Sequence, residues 1–348
     1  MQEIIEPISI EILKSELTPD KKVQNTHKGS NEIYIVTWQN SPNVLKEIGR
    51  LREIVFRASG GGTGLDCDLD EFDTMENPYK QLIIWDPETE AILGGYRYIL
   101  GTDIQLDDNG QPKLSTAHLF NFADKFIKDY LPYTIELGRS FVAPHYQSSK
   151  AGSKSLFALD NLWDGLTSLM MQNPKMKYFF GKMTMYPTFN RCGRDLLLKF
   201  FSIYFSDNDN LISTYNPVKI DTNLDSYEGM FSGKHFKNDY KVLNAEIRKL
   251  GEDIPPLVNS YIRVTPSLKV FGTAINDEFG DVEETAILVD FDDMYEEKST
   301  RYIGFYIKNK IMQITKRFPL FAAENKENLS DRIINRRQRR QRLNKGAL

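Results

Sequence analysis

The stretch TIELGRSFVAPHYQSSKAGSKS, residues 134–155, joins a strand pattern to a helix pattern through a polar loop. Its first nine residues are rich in β-branched and aromatic side chains, which favours a strand with Gly138 in its middle. After the loop, apolar residues recur at the 3.6-residue period of a helix. They are Leu156, Leu159, Leu162, Trp163, Leu166, Leu169 and Met170. The stretch therefore predicts a strand, a loop and a helix in succession.

Strand and helix patterns also alternate on both sides of this unit. Strands near 81–86 and 91–100 flank the turn-like DPETE and predict a β-hairpin. A helix is predicted to begin at Ser41 and to end at Ser59, where three glycines follow. Downstream, KYFFGKMTM predicts a buried strand and RDLLLKFFSIYF a short apolar helix. This alternation predicts an α/β fold in which helices flank a mixed sheet.

Four regions of the chain differ in pattern. Residues 1–40 read as an irregular extension with one possible short strand, and residues 41–205 as the α/β core. Residues 206–300 form either a separate domain or the completion of the same sheet. Residues 301–348 combine an amphipathic segment with a basic tail.

The composition indicates a folded protein of the cytoplasm. The chain has 348 residues, of which 41% are hydrophobic, so it can bury a sizeable core. The N-terminus lacks the basic segment of a secretory signal, and no apolar run approaches 18 residues. Cys67 and Cys192 cannot form a disulfide framework, which agrees with a reducing compartment.

The charge is unevenly distributed along the chain. Residues 332–348 hold seven basic side chains and no acidic one, which leaves 37 basic against 48 acidic groups in the rest. Such a tail suits an anionic partner, which could be nucleic acid, anionic lipid or an acidic protein. A solvated tail without a partner is the alternative.

The segment DCDLDEFD, residues 66–73, raises the question of a metal site. An EF-hand loop beginning at Asp66 would need glycine at position 6 and glutamate at position 12, where this chain has Glu71 and Asn77. The four histidines are scattered without the spacing of zinc ligands. We therefore expect no metal, and either a solvated acidic loop or one that Phe72 anchors to the core.

Four blocks of sequence occur together in a specific order. They are LREIVF at 51–56, DLDEFD at 68–73, LGGYRYI at 93–99 and IELGRSFVAPHYQ at 135–147. Together they resemble the acyl-carrier-protein-dependent N-acyltransferases of the GNAT superfamily. The most similar branch is that of the ornithine- and glycine-lipid synthases, often called hemolysin-like, with acyl-homoserine-lactone synthases as more distant relatives. The later stretches IPPLVNSYIRV, VFGTAINDEFG and AILVDFDDM also resemble the end of the hemolysin-like branch, so the likeness extends to about residue 294.

The resemblance implies a GNAT-type mixed sheet flanked by helices, with a C-terminal extension. It also implies transfer of a 3-hydroxylated fatty acyl group from acyl carrier protein to the α-amine of glycine or ornithine, the first step of aminolipid synthesis. No cofactor is implied beyond the donor's phosphopantetheine arm. The acetyl-CoA-binding loop of typical acetyltransferases is reduced to QSSKAGS, which has one glycine. The alternative to an enzyme, which we call the non-catalytic rival, is a protein with the same fold that only binds lipid or acyl carrier protein.

The same blocks imply the site residues. Glu136 is the candidate base, acting directly or through water, and a bulge at Gly138 would free backbone N–H groups for the thioester carbonyl. The catalytic set is Glu136, Arg139, Arg52, Asp70 and Arg97, supported by Phe56, Phe72 and Asp73. The alternative for these charges is a buried ion-pair network that only fixes loop positions.

Residues expected at the acyl chain and the phosphopantetheine arm follow the base along the chain. They are Gly138, Ser140, Phe141, Ser148, Ser149, Lys150 and Gly152. The last four precede a helix, where free N–H groups favour phosphate, and simple helix capping is the alternative. Apolar helix faces serve either as core or as the wall of an acyl tunnel.

The expected partners are acyl carrier protein and an amino-acid acceptor. The basic tail and the amphipathic segment before it favour peripheral contact with an anionic membrane at its cytoplasmic face. The acidic body disfavours nucleic acid.

Overall fold

The computed structural model describes residues 1–147, 153–220 and 222–317. The helices are α1 Ile10–Glu16, α2 Pro42–Ala58, α3 Glu71–Thr74, α4 Pro144–Gln147, α5 Ser153–Gln172, α6 Arg191–Tyr204, α7 Phe236–Lys249, α8 Pro256–Ile262 and α9 Glu296–Arg317. The strands are β1 Lys22–Asn25, β2 Glu32–Val36, β3 Lys80–Asp86, β4 Ala91–Leu100, β5 Phe120–Phe122, β6 Thr134–Val142, β7 Tyr178–Met185, β8 Ile212–Thr214, β9 Lys269–Asn276 and β10 Val282–Asp290.

Eight strands form one mixed sheet in the order β1-β2-β3-β4-β6-β7-β10-β9. Neighbouring strands are antiparallel except for β6 and β7, which are parallel because α5 crosses between them. The predicted mixed sheet flanked by helices is confirmed. The strands predicted at 81–86, 91–100 and 134–142 correspond to β3, β4 and β6, and nearly every residue of β3 and β4 is buried.

The two ends of the described chain add to this sheet. Residues 1–40, expected as an irregular extension, contribute β1 and β2, because Ile33 and Val36 are fully buried against the core. In residues 206–300, β9 and β10 pair with each other, and β10 pairs with β7 along eight residues. This half of the chain therefore extends the first sheet.

Helices cover both faces of the sheet. Gln81 and Leu82 are neighbours on β3 and so point to opposite faces. Gln81 accepts a hydrogen bond from Arg52 of α2, whereas Leu82 packs under Gly165 of α5. The sheet is thus sandwiched between α2 on one side and α5 on the other.

The C-terminal helix α9 packs against α5. The basic tail predicted to meet an anionic partner lies outside the described residues. Among the helices that the structure describes, none combines the length and apolar character needed to cross a membrane.

Candidate active site

The parallel strands β6 and β7 separate part way along their length. They pair only between Thr134–Glu136 and Tyr178–Phe180, and beyond these residues their ladder ends. A cavity of about 520 Å³ lies in the resulting gap and is lined by residues 137–142 of β6 and 179–184 of β7. The gap opens a passage between the two faces of the sheet at the point where β6 and β7 are no longer hydrogen-bonded to each other.

Helices from both faces of the sheet complete the cavity wall. On the α2 side the wall consists of Val55, Phe56 and Ser59, joined by Tyr186 and Phe279. On the α5 side it is mainly apolar, and its members come from α5, α8 and the inner strands. They are Tyr96, Ala158, Leu159, Phe179, Met183, Pro256, Leu257, Val258, Tyr261, Ile287 and Val289. The cavity therefore reaches through the sheet and is most apolar next to α5 and α8.

The bulge predicted at Gly138 is present in β6. Arg97 of β4 lies opposite Gly138, but Gly95 lies opposite Phe141, so two residues of β6 face the single Tyr96. Arg139, the first of the two, has a φ of 48°. Because the extra residue interrupts strict alternation, the Arg139 side chain turns to the face that carries Arg97.

Three arginines and three aspartates form a closed ring of ion pairs beside this bulge. Taken in order around the ring, they are Arg52, Asp68, Arg139, Asp70, Arg97 and Asp73. Each aspartate bridges two arginines, so the six charges cancel. We call this set the Arg–Asp ring.

The deepest members of the ring are held by short contacts. Asp68 lies 3.0 Å from Arg52 Nε and 3.1 Å from Arg139 Nε. Asp73 lies 2.9 Å from an Arg52 nitrogen and 3.3 Å from an Arg97 nitrogen. Burial acts to raise the pKa of Asp73, but the charges of Arg52 and Arg97 hold it at about 2. Asp73 is therefore ionised at neutral pH.

Asp70 closes the ring at its more exposed side. Its carboxylate lies 2.6 Å from an Arg97 nitrogen and 3.7 Å from an Arg139 nitrogen. It also caps α3 through a reciprocal pair of hydrogen bonds with Asp73, each 3.3 Å long. The ring thereby fixes the acidic loop against the bulge that carries Arg139 into the cavity wall.

Glu136 is fully buried at the last paired position before the strands separate. Its carboxylate accepts hydrogen bonds from the Tyr79 hydroxyl, from Thr116 Oγ1 at 3.1 Å and from Ser115 Oγ at 3.4 Å. Burial raises the pKa of Glu136 above its ordinary value. The residue is not among the described residues that line the cavity, whereas its neighbour Leu137 is.

The structure brings most of the predicted site residues together. Those that line the cavity are Phe56, Gly138, Arg139, Ser140 and Phe141. Phe72 packs edge-on against Tyr79, with a centroid distance of 5.6 Å, and so anchors the acidic loop as expected. Ser148, Ser149, Lys150 and Gly152 lie outside the described residues.

Sequence reasoning missed three charged residues of this region. Asp68 is completely buried in the ring, whereas the side chain of Asp70 is 31% exposed. Lys182 and Glu284 contact each other in the cavity wall. A signal for Lys182 was available, because a lysine interrupts the otherwise apolar strand pattern YFFGKMTM.

Comparisons with known proteins show which families this chain is similar to. The family described as "Acetyltransferase (GNAT) domain" matches residues 51–155. A glycine N(alpha)-acyltransferase of Phocaeicola vulgatus is 58% identical over 317 residues, which cover 90% of this chain and 97% of the relative. A glycine N(alpha)-acyltransferase of Bacteroides thetaiotaomicron is 58% identical over 309 residues, covering 89% and 92%.

One solved structure is also similar. It is the CoA-dependent acyl-homoserine lactone synthase BjaI with MTA, with a TM-score of 0.34 and 10% sequence identity. The match covers 77% of this chain and 85% of the synthase.

Proposed function

This chain belongs to the family of the glycine N(alpha)-acyltransferases, and we propose that it moves a fatty acyl group from acyl carrier protein to the α-amine of glycine. Two relatives that are 58% identical over nearly their whole length support the N-acyltransferase activity. The donor, the acceptor and the place of the product as the first intermediate of an aminolipid are our proposal.

The cavity at the gap between β6 and β7 is the observation that supports this function best. Its volume of about 520 Å³ is far larger than an acetyl group needs, and its wall next to α5 and α8 is apolar. Ligand sites commonly combine such an apolar wall with a few placed polar groups. The acyl chain lies on the α5 side, and the thioester lies at the bulge.

The reaction joins the glycine nitrogen to the thioester carbonyl carbon and releases the thiol of the phosphopantetheine arm. The ammonium group loses one proton before it attacks, and a second proton passes from the attacking nitrogen to the departing sulfur. The developing oxyanion needs donors, and our candidates are the backbone N–H groups of β6 that point toward β7 beyond Glu136, where the two strands no longer pair.

Glu136 is our candidate for the group that takes the first proton. Burial raises the pKa of Glu136 toward neutral pH, and a pKa near the operating pH suits a general base. Because Glu136 is fully buried and is not among the described residues that line the cavity, the proton reaches it through a water molecule.

Acyl carrier protein is proposed as the donor on sequence grounds. The loop QSSKAGS has only one glycine, fewer than the acetyl-CoA-binding loop of typical acetyltransferases, and the basic residues at 332–348 suit an acidic carrier protein. The same residues would hold the enzyme at the cytoplasmic face of an anionic membrane, where an acylated product collects.

A comparison of donors tests this function. The full-length protein is given glycine with either 3-hydroxypalmitoyl-acyl carrier protein or 3-hydroxypalmitoyl-CoA, and thiol release and N-acylglycine are both measured. We expect kcat/KM to be at least about 10-fold higher with the carrier protein, because protein contacts add binding energy. Equal or better use of the CoA ester would contradict the proposed donor. Binding of the carrier protein without turnover would favour the non-catalytic rival.

A further inference from the structure

A buried pair of opposite charges faces the cavity on strands β7 and β10. Lys182 Nζ contacts a carboxylate oxygen of Glu284, and both residues line the cavity. The side chains are only 11% and 2% exposed. Glu284 also accepts hydrogen bonds from Asn276 Nδ2 at 3.0 Å and from Thr184 Oγ1 at 3.4 Å.

The two residues lie side by side on one face of the sheet. Lys182 is opposite Ala286 and Glu284 is opposite Thr184, so they are diagonal neighbours across the β7–β10 ladder. Phe180, two residues before Lys182, belongs to the apolar cluster on the same face. The pair therefore lies beside an apolar cluster, next to the point where β6 and β7 separate.

Stability alone is a weak explanation for this arrangement. Moving both charges out of water costs free energy that their attraction barely recovers, and apolar replacements of buried pairs are often neutral or stabilising. Burial, together with the nearby charge of Arg139, lowers the pKa of Lys182 even though Glu284 acts to raise it. A ligand anion bound next to Lys182 would therefore stabilise the charged form of the lysine.

Formal charge is scarce in the cavity. Among the described residues that line it, only Arg139, Lys182 and Glu284 are charged. Arg139 is engaged by Asp68 at 3.1 Å and lies over the ring of Phe279 at 4.4 Å. Lys182 pairs with Glu284, and Glu284 also accepts hydrogen bonds from the neutral side chains of Asn276 and Thr184. A zwitterionic ligand can replace the lysine–glutamate contact with one contact to each residue, and the net charge of the cavity stays the same.

We propose that Lys182 and Glu284 form the subsite for the acceptor amino acid, with Lys182 binding its carboxylate and Glu284 binding its ammonium group. This inference rests on the proposed function, in which the acceptor is a free amino acid. Such an acceptor carries both a carboxylate and an ammonium group, and the pair supplies one opposite charge for each. Entry of the acceptor opens the lysine–glutamate contact and places the nitrogen next to the bulge. Both residues bind and orient the acceptor, and Glu136 remains the proton acceptor.

The test compares glycine with glycinamide, which lacks the carboxylate charge, in the full-length enzyme with acyl carrier protein as donor. In Lys182→Met we expect KM for glycine to rise about 10- to 100-fold, as for the loss of one charged hydrogen bond, with little change in KM for the donor. The preference for glycine over glycinamide should fall to about one. Lys177→Met, an exposed lysine just before β7, is the matched control and should behave as wild type.

A second variant guards against misfolding caused by the unpaired carboxylate of Glu284. Lys182→Met/Glu284→Gln removes both charges of the pair and leaves neither partner unpaired. Glu278→Gln, at a residue whose side chain is 74% exposed, is its control. The double variant should have a melting temperature close to that of the wild type, and its rate should no longer saturate at the glycine concentrations that saturate the wild type. Unchanged KM and unchanged discrimination in both variants would overturn the proposed subsite.

A binding measurement separates this inference from the proposed function. Glycine should raise the melting temperature of the wild type but not that of Lys182→Met. That result supports the subsite even where acyl transfer fails with acyl carrier protein, which would contradict only the donor or the reaction. Equal stabilisation of both proteins by glycine would overturn the subsite, whatever the activity.

Discussion

Glu136→Gln is expected to lower kcat for acyl transfer by about 10²- to 10⁴-fold, the usual contribution of general base catalysis. Glutamine has the same shape, and the hydroxyls of Tyr79, Ser115 and Thr116 can donate to its oxygen or turn to accept from its amide. The fold and the affinity for acyl carrier protein should therefore be retained. Steady-state kinetics and carrier-protein binding measure the two effects separately.

The pH dependence of this reaction gives a second readout for Glu136. The base acts only when it is deprotonated, so kcat falls as the pH is lowered through its pKa in the enzyme–substrate complex. Because burial raises that pKa, the acid limb of the profile should lie above pH 4.5, the ordinary value for a glutamate. Glu136→Gln should lose this limb, whereas Glu278→Gln should keep it. Wild-type turnover by Glu136→Gln would show that the base is another group.

Arg52→Met is expected to reduce the free energy of unfolding by about 3 to 5 kcal/mol, as when one partner of a buried ion pair is removed. Arg52 is fully buried and bridges Asp68 and Asp73, which would both lose a cation inside the protein. Methionine fills a similar volume, so most of the loss comes from the unpaired carboxylates. Urea unfolding followed by circular dichroism measures the change.

The control for Arg52 is an arginine in an exposed ion pair. Arg248 lies 3.0 Å from Asp253, but both side chains are more than two-thirds exposed. Arg248→Met should therefore cost less than about 1 kcal/mol. A loss of similar size in both variants would mean that the Arg–Asp ring does not stabilise the acidic loop more than a surface pair would.

Features that depend on local pattern were predictable from the sequence. The strand at 134–142 follows from its residue types, and the bulge follows from Gly138 within it. The anchoring of the acidic loop follows from Phe72, because a large aromatic residue among carboxylates favours contact with the core.

Features that depend on distant pairing were not predictable. Five carboxylates crowd residues 66–73, and the sequence alone does not show that Arg52 of α2 pairs with Asp68 and Asp73 and that both are buried. Lys182 and Glu284 are 102 residues apart and meet only because β7 pairs with β10. The contribution of residues 1–40 to the sheet likewise depends on pairing with β3.

The identity of the product tests the proposed function most directly. The protein is produced in a host that makes no aminolipids, the cells are grown with ¹⁵N-glycine, and the lipid extract is examined by mass spectrometry. We expect a new N-acylated glycine whose mass rises with the label, and its absence from cells that produce Glu136→Gln. An N-acylated ornithine would contradict the proposed acceptor, and no new lipid would contradict the proposed activity and favour a protein that only binds lipid or acyl carrier protein.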